Sequence, residues 1–110
     1  MLDGKLLIGG NWKTCDRTFE SLNPATGDVI ARACLAGVEE VTEAVREAKI
    51  AQKSWKNTDI SERTRIFIRI GDELLKRIQD ISNLITIEMG RPLFESNIEV
   101  HKTSEMIKYF

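Results

Sequence analysis

Cysteine, histidine and proline are scarce in this chain: 110 residues hold two cysteines, one histidine and two prolines. Two cysteines are too few for a disulfide scaffold, and the low proline and glycine content excludes collagen-like and low-complexity chains. A zinc site built on His101 would need carboxylates that no spacing nominates, so no metal ligand is expected. No run approaches the roughly 18 uninterrupted apolar residues of a membrane helix. Residues 1–10 carry Lys5 and the apolar trio Leu6, Leu7 and Ile8, which Gly9 and Gly10 break at once. That trio is too short for a secretory signal, so a cytoplasmic location is expected, and with it reduced thiols at Cys15 and Cys34. Charge of one sign is also missing. Sixteen Lys and Arg face seventeen Asp and Glu, without the basic excess that binding a phosphate backbone requires, so neither nucleic acid nor a membrane is an expected partner.

What remains is the composition of one small soluble domain, 42% hydrophobic and 30% charged, with an α+β pattern. The hydrophobic period changes near Gly37, dividing a β-strand and hairpin region, residues 1–36, from a helical region of about four helices, residues 37–110. Residues 5–12 suit one short strand ending at the glycine pair. Residues 18–22 and 28–35 suit two strands joined by Asn23-Pro24-Ala25-Thr26-Gly27, a turn in which Pro24 presets φ and Gly27 returns the chain. Such a hairpin brings Cys15 and Cys34 to similar heights if pairing persists that far. One residue of register decides whether they share a face, so spacing leaves a disulfide open.

Val38, Val41, Val45, Ala48 and Trp55 step by three or four along a first helix. Its early Glu39, Glu40 and Glu43 and late Lys49, Lys53 and Lys56 complement the helix dipole. Asp59 with Glu62 reads as a capping box for a second helix whose stripe runs Ile66, Ile70, Leu74, Ile78 and Ile81. Asp72 with Lys76 and Glu73 with Arg77 are spaced as acid-before-base pairs on its solvated face. A shorter helical pattern over residues 81–89 stops at Gly90, a left-handed cap, and Pro92 suits the first position of a last helix. Ile98, Val100, Met106, Ile107, Tyr109 and Phe110 are its apolar members. The absence of a stop signal at the end of that pattern suggests a cut at residue 110.

Candidate chemistry is thin. Neither Cys15 nor Cys34 has a nearby histidine or helix N-terminus to make a thiolate. His101 lacks an orienting partner for general-base work. The glycines fit neither G-x-G-x-x-G nor a phosphate loop. No catalytic, cofactor-binding or metal residue is nominated. A small thiol or metal protein would need Cys15, Cys34 and His101 to converge.

Order carries more than any single residue. Leu7-Ile8-Gly9-Gly10-Asn11-Trp12, then Phe19-Glu20-Ser21-Leu22-Asn23-Pro24-Ala25-Thr26-Gly27-Asp28-Val29-Ile30, then residues 41–51, resemble the beginning of NAD(P)-dependent aldehyde dehydrogenases. Ser61-Glu62-Arg63, Glu88-Met89-Gly90-Arg91-Pro92-Leu93, and Glu99-Val100 ahead of Tyr109-Phe110 follow in that family's order. The resemblance implies the opening of an α/β Rossmann-like cofactor domain in an oxidoreductase that uses NAD or NADP. It also implies that nucleophile, general base, oxyanion donor and cofactor loop lie beyond residue 110. This chain is then expected to bind no cofactor and to be inactive alone, with self-association or the remainder of the enzyme as its partner. The same resemblance places the helix after Gly-Arg-Pro at the substrate entrance, with Ile98 and Lys102 as channel residues and Lys102 drawing an anionic aldehyde. The rival expectation is a free-standing helical interaction module without catalysis.

Overall fold

The structure is a computed structural model that describes residues 2–109; Phe110, read above as a member of the last helix, lies outside the described residues. The expected α+β composition holds. Five short strands come first: β1 (Leu2–Gly4), β2 (Leu6–Ile8), β3 (Asn11–Lys13), β4 (Thr18–Leu22) and β5 (Val29–Cys34). Four helices follow: α1 (Val38–Trp55), α2 (Ile60–Lys76), α3 (Ile78–Met89) and α4 (Leu93–Tyr109). None is long and apolar enough to cross a membrane. Residues up to Leu22 with Asp28–Asn57 form one unit, and Asn23–Gly27 with the residues from Thr58 on form the other.

In the first unit β5 is central, parallel to β1 and antiparallel to β4. Thr18 pairs with Cys34 and Glu20 with Arg32, and on that rung the guanidinium donates to Glu20 Oε1 from Nε at 3.1 Å and Nη2 at 3.0 Å. Cross-strand pairing of opposite charge favours this register. The single strand expected over residues 5–12 is two strands. Gly9 and Gly10 both adopt positive φ, 57° and 80°, the conformation a two-residue hairpin turn demands, and the chain doubles back to pair Leu6 with Lys13 and Ile8 with Asn11. Lys13 Nζ then donates to both Glu43 oxygens of α1, at 2.6 and 2.7 Å. The early glutamates of α1 thus do more than complement its dipole: Glu40 also accepts the Gly37 N–H at 2.7 Å.

In the second unit α4 packs on both α2 and α3. Its buried residues are Ser96, Val100 and Ser104, one face at four-residue spacing. The helices approach closely because these side chains are small. Ser104 Oγ donates to the Gly71 carbonyl of α2 at 2.9 Å, and Ser96 shares a 3.0 Å hydrogen bond with Thr86 of α3. Ser82 of α3 is buried as well. The long stripe from Ile66 to Ile81 does not lie on one helix. The chain breaks at Arg77, whose φ of −105° and ψ of 16° leave the helical region, so Ile78 and Ile81 belong to α3. Asp72 and Glu73 also find partners other than those their spacing suggests. Asp72 pairs with Lys108 of α4 at 2.6 Å and Glu73 with Lys76 at 2.6 Å, because α4 lies within reach of Asp72.

Asn23 opens its turn by accepting the Ala25 N–H on its side-chain oxygen at 2.9 Å and the Gly27 N–H on its carbonyl at 2.8 Å. Within the same unit Pro24 lies against Gly90, the left-handed cap of α3 with φ of 70°.

Only two apolar residues among those described are buried, Ile8 at 6% and Val100 at 3% exposure. Val38, Val41 and Val45 of α1 and Ile66, Phe67 and Ile70 of α2 are exposed. Helices with apolar faces normally seat them against a second layer, and within each unit those faces meet solvent.

Candidate functional site

The stripe that α2 begins and α3 continues forms an open groove of about 550 Å³. Ile66, Ile70, Leu74 and Ile81 supply its apolar floor, and Arg69, Glu73 and Arg77 its charged rim. Glu73 is held below the ordinary carboxylate range by its hydrogen bond to the Lys76 ammonium, and Lys76 is raised by the same contact. A rim of charged surface groups around apolar side chains is the anatomy of a contact surface.

The N-termini of α1 and α2 are occupied by the chain's own carboxylates. Glu40 accepts the Gly37 N–H, and its acidity is strengthened first by its own amide and then by that of Gly37. Asp59 accepts the Ser61 N–H at 2.9 Å and the Ser61 hydroxyl, and the hydroxyl contributes most to holding its carboxyl below the ordinary range. A phosphate needs those same N–H groups and a free positive dipole end. At each of these two helix ends one such amide and the dipole are already engaged by a carboxylate of the chain.

Ile98 and Lys102 are exposed on α4, Ile98 at 47%. Each stands two residues from Val100, about 200° around the helix, so they share the face opposite the serine seam. Neither lines the groove along α2. His101 is exposed on the same helix. No group of three or more His, Cys, Asp or Glu among the described residues could hold a metal ion.

The reading of Cys15 and Cys34 as reduced thiols is overturned: they form a disulfide, with Cα atoms 5.7 Å apart. The β4–β5 ladder carries Cys34 to the rung of Thr18, and the connection after β3 brings Cys15 back over it. No free cysteine is left among the described residues as a nucleophile.

The aldehyde dehydrogenase family model matches residues 12–110. The chain belongs to the aldehyde dehydrogenase family. It is 35% identical over 107 residues to malonate-semialdehyde dehydrogenase 2 of Geobacillus kaustophilus, covering 96% of this chain and 22% of that protein. Among solved structures it resembles an NAD-dependent benzaldehyde dehydrogenase from Corynebacterium glutamicum, with a TM-score of 0.90 and 31% identity over 96% of this chain and 23% of the other. It also resembles an NADP-dependent glyceraldehyde-3-phosphate dehydrogenase from Bacillus halodurans, with a TM-score of 0.96 and 29% identity over 99% of this chain and 23% of the other. The chain thus spans less than a quarter of the length of these relatives.

Proposed function

We propose that this chain is the opening segment of an NAD(P)-dependent aldehyde dehydrogenase and acts there as a structural cover of the cofactor domain, inactive by itself. One observation carries the reading: the groove along α2 is open, with Ile70 44% exposed, so the apolar face is built for a protein surface. The natural occupants are the remainder of the enzyme or a second copy of the chain, in a cytoplasmic setting, without nucleic acid or membrane. Oxidising an aldehyde requires a thiolate to add to the carbonyl, a donor for the resulting oxyanion and a nicotinamide to accept hydride. Neither Cys15 nor Cys34 matches the motif of the family's nucleophile, and no glycine-rich cofactor loop is present in the sequence, which supports inactivity of the chain alone. Ile98 and Lys102 would border the substrate entrance of the whole enzyme, Lys102 drawing in an anionic aldehyde.

Light scattering across a concentration series, with NAD and NADP calorimetry on the same sample, tests this reading. The expected result is association that grows with concentration and weakens in Ile70→Asp, with no heat of cofactor binding. A cooperatively folded monomer at every concentration would move the assignment to a free-standing interaction module. Saturable cofactor binding would sink both.

A further inference from the structure

We propose that Cys15 and Cys34 are a reversible thiol–disulfide couple that opens and closes the free end of the β4–β5 hairpin, in exchange with a small anionic thiol of the glutathione class. The Asn23–Gly27 turn closes the hairpin at one end. At the other, the cross-link ties the residue three before Thr18 to Thr18's own ladder partner, beside the hydrogen bond from Leu35 N–H to the Arg17 carbonyl at 2.9 Å. The bond therefore holds the hairpin's open end shut.

Three observations favour exchange over a permanently sealed bond. Both cysteines are only half-buried and line a small cavity of about 150 Å³, so a thiol can reach them. The cavity's lining carries Lys5 and Arg32 against the single carboxylate of Asp3, with Arg32 also held by Glu20. The lining's excess of positive charge stabilises thiolates and attracts an anionic attacking thiol. The reduced state is also provided for. The Arg17 carbonyl oxygen lies 2.9 Å from Cys15 Sγ, so the Cys15 thiol, once liberated, has an acceptor already in place. In a reducing compartment such a bond is transient rather than structural. That last point rests on the cytoplasmic location proposed above; the cross-link itself does not.

The oxidant is a low-molecular-weight disulfide. One cysteine thiolate attacks it and expels one small thiolate, forming a mixed disulfide. The second cysteine then displaces the other small thiolate as the protein bond forms. Two protein thiols are oxidised, one small disulfide becomes two thiols, and the two cysteine protons pass to them.

The whole chain, equilibrated in glutathione buffers from fully oxidised to fully reduced, is alkylated and its free thiols counted by mass spectrometry. Amide exchange is followed in β4 and β5 on the same samples. The expected result is one reversible two-thiol transition, with these amides exchanging at least about tenfold more slowly in the oxidised form. In Cys34→Ser a glutathione adduct should accumulate on Cys15. Lys5→Gln should slow exchange with glutathione several-fold and leave exchange with neutral 2-mercaptoethanol unchanged. A bond that survives the most reducing buffer, thiols that stay free in the most oxidising one, a cross-link between two chains, or equal amide exchange in both forms each overturns the proposal. These readouts need neither cofactor nor aldehyde, so they stand apart from the test of enzyme membership. If Cys34→Ser does not fold, the thiol count and amide exchange of the unaltered chain decide.

Discussion

At Gly71 two opposed effects of a single methyl group can be weighed. Inside a helix, alanine is favoured over glycine by about 0.8–1.0 kcal/mol. A Cβ at this position would lie 2.9 Å from Lys108 Cε and 3.1 Å from the Ser104 carbonyl oxygen. The lysine can swing aside only by loosening its ion pair with Asp72, and the carbonyl is backbone and cannot yield. Overpacking of this kind costs about 1–3 kcal/mol, so packing outweighs propensity. Gly71→Ala is expected to destabilise the chain by about 1 kcal/mol in urea unfolding; an unchanged or higher midpoint would show that α4 does not approach α2 as closely as described. The same contact explains why the helical unit was poorly legible residue by residue. Its buried face on α4 is Ser96, Val100 and Ser104, and a search for apolar periodicity passes over serine. Meanwhile Ile98, Met106 and Tyr109, the residues such a search selects, are exposed.

The helix starts carry a pH dependence of definite sign. Asp59 and Glu40 are both more acidic in the folded chain than an ordinary carboxyl. Their stabilisation is therefore complete above the ordinary carboxylate range and is lost as pH falls through and below about 4. Circular dichroism should show helix content falling over that window. Asp59→Asn, which caps without titrating, should flatten the part of the fall that belongs to α2. If the two acid profiles superimpose, Asp59 does not cap the helix. Caps and stops were legible because they are local: α1 runs from Val38 to Trp55 as its valine spacing indicates, and Gly90 ends α3 in the left-handed conformation. The break at Arg77 was not legible, because no glycine or proline marks it and the apolar stripe stays in phase across it. The Gly9–Gly10 hairpin escaped for a different reason, since three-residue strands are too short to display alternation. The candidate channel pair was placed by resemblance alone, and nothing in the spacing of Ile98 and Lys102 distinguishes them from other exposed positions on α4.

For the molecule as a whole, the scarcity of buried apolar side chains makes covalent closure consequential. Ile8 is the one buried apolar side chain described in the strand-bearing unit, while the Cys15–Cys34 bond closes a loop spanning a sequence separation of 19. Closing a loop of that size stabilises a fold by about 3 kcal/mol, a large fraction of what a small domain possesses. Reduction should therefore lower the urea midpoint of the strand signals markedly and that of the α2–α4 helix signals little; equal shifts in both would mean that the bond stabilises the whole chain rather than one part. The disulfide was beyond sequence reasoning because it depends on how the connection after β3 curls back, a tertiary fact. The division into two units has a genetic consequence. Because the five residues Asn23–Gly27 sit with the helices while the strands on either side sit with α1, the backbone crosses between the units three times, and no single truncation point yields one intact unit. A deletion after Asn57 takes away the surroundings of the turn along with the helices. Gene dissection of this segment therefore has to proceed by side-chain replacement, with the polypeptide kept whole.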